Sequence, residues 1–207
     1  MLLYDLFNRC LNVKYEKAGK SANYAMEIIN GILYLYFQDS DGAEDWKNNL
    51  NFPSQAYKQM GETVWRVHKG FLKVWKELEP LLSNKIHNPD IHKIIIVGYS
   101  HGAALALLCH EYVWYNRPDL RNTLRGYGFG CPRVIWGHLS YEVRQRWENF
   151  LVIRNIDDII THLPPAFMGY FHVGKMLTIG DKGKYSPIEA HDADNIKREL
   201  LAYGSDL

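Results

Sequence analysis

The sequence predicts an α/β fold: a mostly parallel central sheet with helices on both faces, opened by an antiparallel N-terminal hairpin. Three observations predict it. Residues 93–97, Lys-Ile-Ile-Ile-Val, are a short β-branched apolar run without alternation, as in a strand buried on both faces of a parallel sheet. Downstream, strand-like runs alternate with helical patterns, the order that joins parallel strands through helices. Upstream, Asn30-Gly31 separates two apolar segments, a strong hairpin signal.

The elements follow in order. Leu2, Leu3, Leu6, Phe7, Cys10 and Leu11 recur at helical spacing and predict an amphipathic first helix. Residues 14–23 are polar and irregular, a loop. Residues 24–29 and 32–37 are the two hairpin strands. Residues 43–50 fit a short helix, 51–61 a loop, and 64–68 a short strand. From Gly70, apolar residues follow helical spacing as far as Leu82, with Pro80 inside the pattern to kink or end it. After the strand at 93–97, a helix runs to about Tyr115, where Asn116-Arg117-Pro118 stops it. Strands are expected at 124–129, 150–154 and 172–179, and helices at 140–147 and 189–203.

Composition narrows the function. The 207 residues fit one domain, 1–207, and 47% apolar content is enough for a sizeable core. A net charge of +1 without a run of like charges offers no nucleic-acid footprint. No apolar run is long enough to span a membrane, so stable membrane insertion is not expected. Cys10, Cys109 and Cys131 are an odd, sparse set that reads as buried free thiols in a reducing compartment. The first residues lack a basic leader and include Asp5, a poor signal peptide, so a cytoplasmic location is expected. No spacing of His, Cys or carboxylates suggests a metal site.

The informative stretch is Gly98-Tyr99-Ser100-His101-Gly102, set between the 93–97 strand and a run of strong helix formers at 103–108. A strand, a tight Gly-x-Ser-x-Gly turn and a helix make the nucleophile elbow of serine hydrolases. Strand and helix backbones approach so closely that both glycines must lack a Cβ. The serine stands at the strained tip, with the helix N-terminus favouring negative charge beside it. The bland alternative is a tight Gly-Ser-Gly turn without chemistry.

A serine hydroxyl needs a base, and the base needs a third group to orient it. In this architecture the acid follows the serine, and the histidine follows the acid. Asp157 and Asp158 leave the C-terminal end of the 150–154 strand, where functional groups of such sheets gather. Either could be the acid, or a solvated turn residue. Of the later histidines, His162 is too close in sequence to reach back easily, and His172 should begin a strand at the wrong end. His191, in the loop before the last helix, is the expected base.

The chain resembles the class 3 lipases, the family of the filamentous-fungal triacylglycerol lipases. The resemblance rests on Val67-His68-Lys69-Gly70-Phe71, on Gly98 to Ala106, and on Gly128-Phe129-Gly130-Cys131-Pro132-Arg133-Val134. Asp158-Ile159-Ile160-Thr161-His162-Leu163-Pro164-Pro165 and Ala190-His191 complete it, in the family's order. It implies an α/β-hydrolase-like fold, Ser100 as nucleophile, Asp158 rather than Asp157 as acid, His191 as base, and no cofactor. It also implies an oxyanion hole from the N–H groups of Ser40 and His101. Gln38 and Asp39 replace the family's Arg-Gly before that hydroxyl residue. His101 replaces a frequent leucine and reads as a helix-start residue near solvent.

The expected activity is hydrolysis of a small-molecule ester or lipid. An acyltransferase or thioesterase would use the same triad, and a non-catalytic lipid-binding module is the reading of another class. In the family a short helix after the oxyanion residue covers the site. Here that stretch carries only Trp46 and Leu50 as large apolar residues on one face. So narrow a stripe, without a basic cluster, suits soluble or short-chain esters better than strong interfacial anchoring.

Overall fold

The structure, a computed structural model, describes residues 2–18, 22–38, 52–59 and 62–205. The possible lid helix at 43–50, with Trp46 and Leu50, and the oxyanion candidate Ser40 beside Asp39 lie outside the described residues.

Helix α1 (Leu3–Asn12) is followed by strands β1 (Glu16–Ala18), β2 (Ala22–Ile29) and β3 (Ile32–Gln38). β2 and β3 form the expected antiparallel hairpin. Asn30 and Gly31 take φ of 51° and 73°, the positive values that a two-residue hairpin turn demands. β4 (Ser54–Gln59) and β5 (Glu62–His68) lead into helix α2 (Lys69–Ile86). Then come β6 (Lys93–Tyr99), helix α3 (His101–Asn116), β7 (Arg125–Phe129), β8 (Ile135–Trp136) and the one-turn helix α4 (Tyr141–Arg144). The chain ends with β9 (Phe150–Asn155), β10 (Tyr170–Phe171), β11 (Lys175–Ile179) and helix α5 (Ala193–Ser205).

The main sheet has the order β1-β2-β3-β6-β7-β9-β11. From β3 onward every pairing is parallel, as the unbroken apolar run of β6 foretells. Alternate residues of each strand enter two cores. Ile94 and Ile96 join Leu33, Leu35 and the buried stripe of α2, whereas Ile95 and Val97 join Tyr36, α1 and α5. α3 is sandwiched between sheet and α2, and residues 103–109 are all fully buried or nearly so. That explains a helix apolar on every side. Truncating one fully buried leucine of α2, such as Leu78 or Leu82, should cost roughly 2–5 kcal/mol.

The structure corrects four expectations. Residues 51–61 are not simply a loop: β4 pairs with β5, and Tyr57 stacks on Trp65 at 4.1 Å between ring centroids. With β8 and β10 these strands form a second, antiparallel sheet in the order β10-β8-β5-β4. Residues 16–18 leave the predicted loop to pair with β2. α2 does not end at Pro80 but continues to Ile86, with Pro80 exposed while Leu78 and Leu82 hold the helix to the core. The 172–179 strand starts only at Lys175, because Tyr170 and Phe171 pair with β8 in the second sheet.

Candidate active site

Strand register lines up the site. Tyr99 pairs with Phe129, Phe129 with Ile153, and Asn155 with Ile179, so β6, β7, β9 and β11 end along one edge. Ser100 follows the end of β6, Asp158 lies three residues beyond β9, and His191 ends the one-turn 3-10 helix Glu189–His191 between β11 and α5.

Ser100 has φ 56° and ψ −124°, a conformation that L-residues rarely adopt. Its N–H donates to the Phe129 carbonyl at 2.9 Å. A Cβ on Gly98 would lie 2.3 Å from the Gly102 carbonyl oxygen, the close approach expected of an elbow. His191 Nε2 stands 2.8 Å from Ser100 Oγ, and its Nδ1 is 2.8 Å from Asp158 Oδ2. With the carboxylate ionised, the proton belongs on Nδ1, which leaves the Nε2 lone pair facing the hydroxyl. The other carboxylate oxygen of Asp158 accepts the Ile160 N–H at 2.9 Å. Asp158 is fully buried, and Ser100 and His191 are nearly so. Such an arrangement can pass a proton from hydroxyl to imidazole while the carboxylate holds the ring.

The structure separates the remaining candidates. Asp157 turns away and accepts the Gly183 N–H at 2.5 Å. His162 lies against Arg133, and the His172 Nε2–H donates to the Thr161 carbonyl at 2.8 Å. His101 opens α3 beside Ser100 but is buried, not near solvent, with its ring 5.3 Å from that of Phe71. Two supports of His191 escaped the sequence reading. The Tyr99 hydroxyl donates to the His191 carbonyl at 2.7 Å, and the two rings stack at 5.4 Å. Tyr99 occupies the first variable position of the elbow motif, the signal that could have singled it out. Gly130, with φ 59°, has no room for a Cβ, which would lie 2.7 Å from His191 Cε1.

Neighbouring titratable groups are held neutral. Burial pushes His68 and His172 down to about 4, and raises the thiol of Cys131 well above its ordinary value. So shielded a thiol is no rival nucleophile at neutral pH. Among the described residues, no group of three or more His, Cys, Asp or Glu side chains could hold a metal ion. No described helix is long and apolar enough to cross a membrane.

The family model described as Lipase (class 3) matches residues 34–168. A lipase of Rhizomucor miehei is 29% identical over 174 residues, which cover 79% of this chain and 47% of the relative. A secreted mono- and diacylglycerol lipase of Fusarium solani is 26% identical, over 75% of this chain and 46% of its own length. The chain thus spans about half the length of these relatives. A solved triacylglycerol lipase, described as having a catalytic centre formed by a serine protease triad, superposes with a TM-score of 0.71 at 23% identity. That superposition covers 86% of this chain and 78% of the other.

The expected cytoplasmic location is corrected by these relatives, since the Fusarium protein is named as secreted. The cysteines are the buried free thiols expected, but that does not fix the compartment. Packing shields a thiol irrespective of the redox state outside.

Proposed function

Because the chain belongs to the class 3 lipase family, we propose that it hydrolyses carboxylic esters through an acyl-enzyme on Ser100. The observation that carries this reading is the hydrogen-bonded line from Asp158 through His191 to Ser100, with both steps at 2.8 Å. Ser100 Oγ attacks the acyl carbonyl as His191 Nε2 takes its proton. The imidazolium then gives that proton to the departing alcohol. Water, activated by the same nitrogen, releases the acid. Asp158 keeps the imidazole in the productive tautomer and stabilises its charged form. The His101 N–H, at the N-terminus of α3, would face the developing oxyanion, with Ser40 as the second donor. Ser100, His191 and Asp158 fill the nucleophile, acid–base and orienting roles, so the proposed route calls on no metal or organic cofactor.

The substrate class is read from the sequence: as a helix, residues 43–50 would carry only Trp46 and Leu50 as a narrow apolar stripe, which supports short-chain or soluble esters. A p-nitrophenyl ester series from acetate to palmitate, beside Ser100→Ala, tests both parts. The expected result is turnover that is greatest on short chains and abolished in the variant. A folded protein inactive on every chain length would instead favour the non-catalytic module.

A further inference from the structure

Asp158 reaches His191 from a turn that belongs to no sheet. Its Oδ1 is taken by the Ile160 N–H and its main-chain carbonyl by the Thr161 hydroxyl at 2.8 Å, so the carboxylate is aimed by residues 158–162 themselves. The direction of that aim therefore depends on what holds the turn.

Arg133 holds it most extensively. Its main-chain N–H donates to the Leu163 carbonyl at 2.7 Å. Its guanidinium Nη1 donates to the carbonyls of His162, at 2.5 Å, and Pro164, at 3.0 Å. Nη2 lies 3.5 Å from His162 Nδ1. Among the described residues it forms no ion pair, and these hydrogen bonds all go to residues 162–164, where the turn ends. Arg133 also sits on a segment that touches the other two members of the site. Four residues earlier, the Phe129 carbonyl accepts the Ser100 N–H, and the Gly130 backbone lies against His191 and Asp158. One stretch, 129–133, thus touches the Ser100 backbone, the side chains of His191 and Asp158, and the end of the acid's turn.

We propose that Arg133 is a positioning residue of the acid: its guanidinium fixes the turn from which Asp158 meets His191. The inference rests on the triad reading above and deepens it. Arginine suits the task because its planar group fixes the two N–H directions of Nη1 toward the His162 and Pro164 carbonyls while Nη2 lies beside the His162 ring, directions that a freely rotating lysine ammonium on a flexible stem does not hold. It touches no reacting atom and acts only through Asp158.

The test is a kinetic cycle on p-nitrophenyl butyrate with Arg133→Gln, Asp158→Asn and the double variant. Arg133→Gln should lower kcat about 10²-fold, the scale of a displacement of about 1 Å in a catalytic group, with KM little changed. In the Asp158→Asn background the same change should cost less than about threefold, because the residue through which it acts is already disabled. Arg133→Lys should fall between wild type and Arg133→Gln. It also carries the comparison should Arg133→Gln not fold. An equal loss in both backgrounds, or full activity in Arg133→Lys, overturns the proposal.

A second arm needs no turnover. In Ser100→Ala protein, proton NMR should show the His191 Nδ1–H well downfield of the amides, and Arg133→Gln or Arg133→Lys should move that resonance upfield or broaden it. An unmoved resonance overturns the proposal. Wild type without turnover, but with the resonance responding to Arg133, would sink the esterase reading and leave this inference standing.

Discussion

A Cβ on Gly102 would lie 2.2 Å from the main-chain oxygen of Phe37, the penultimate residue of β3. The first turn of α3 thus lies directly on the backbone of the neighbouring strand, and this contact sets where Ser100 points. No rotamer relieves the clash, because the obstacle is backbone. Gly102→Ala should destabilise the protein by about 1–3 kcal/mol or more and cut activity in the remaining folded fraction. Gly204, near the end of α5, has open space at its Cβ position: apart from its chain neighbours and its own helix backbone, no heavy atom lies within 4 Å. Gly204→Ala should therefore leave the thermal midpoint unchanged or slightly raised. Equal midpoints for the two variants would contradict the packing account of the elbow.

The two adjacent aspartates should behave differently. Asp158 Oδ2 meets His191 in the interior, whereas Asp157 Oδ2 meets the Gly183 N–H near the surface. Asp158→Asn should lower kcat by up to about 10⁴-fold, since an amide favours the wrong imidazole tautomer. Asp157→Asn should cost less than about tenfold, through its loop alone. A reversed order of kcat values would remove Asp158 from the triad.

This pair also marks the limit of what was legible in the sequence. The elbow could be read because its demands are local: two glycines, a strand before and a helix after. The Asn30-Gly31 hairpin could be read for the same reason. Neighbouring carboxylates on one turn are locally equivalent, and only tertiary structure decides which faces inward. The family resemblance chose Asp158, not the spacing. β4 was missed because Ser54-Gln55-Ala56-Tyr57-Lys58-Gln59 has little apolar content and owes its form to pairing with β5. Arg133 carried no signal of its own, since its acceptors are backbone carbonyls about 30 residues away.

Acid should weaken the fold before it titrates most carboxylates. Burial lowers His68 and His172 to about 4 and His110 to about 3. Each stays neutral in the native state but charges in the unfolded chain below its ordinary value of about 6.5. Between those values the unfolded chain binds more protons, so stability falls as pH drops from about 6.5 towards 4. The slope contributed is up to about 1.4 kcal/mol per pH unit for each histidine. Urea midpoints at pH 7 and pH 5 check this: the midpoint should be clearly lower at pH 5. An equal or higher midpoint there would show that these rings are not buried as described.

The most direct test of the central claim is covalent. Native protein treated with a fluorophosphonate should gain one adduct by intact mass, and peptide mapping should place it on Ser100. The rate of labelling should drop in His191→Ala, which removes the base 2.8 Å from the hydroxyl. Ser100→Ala, with an unchanged circular dichroism spectrum, should take no label. Folded wild type that stays unlabelled, or an adduct that maps to a residue other than Ser100, would contradict the account.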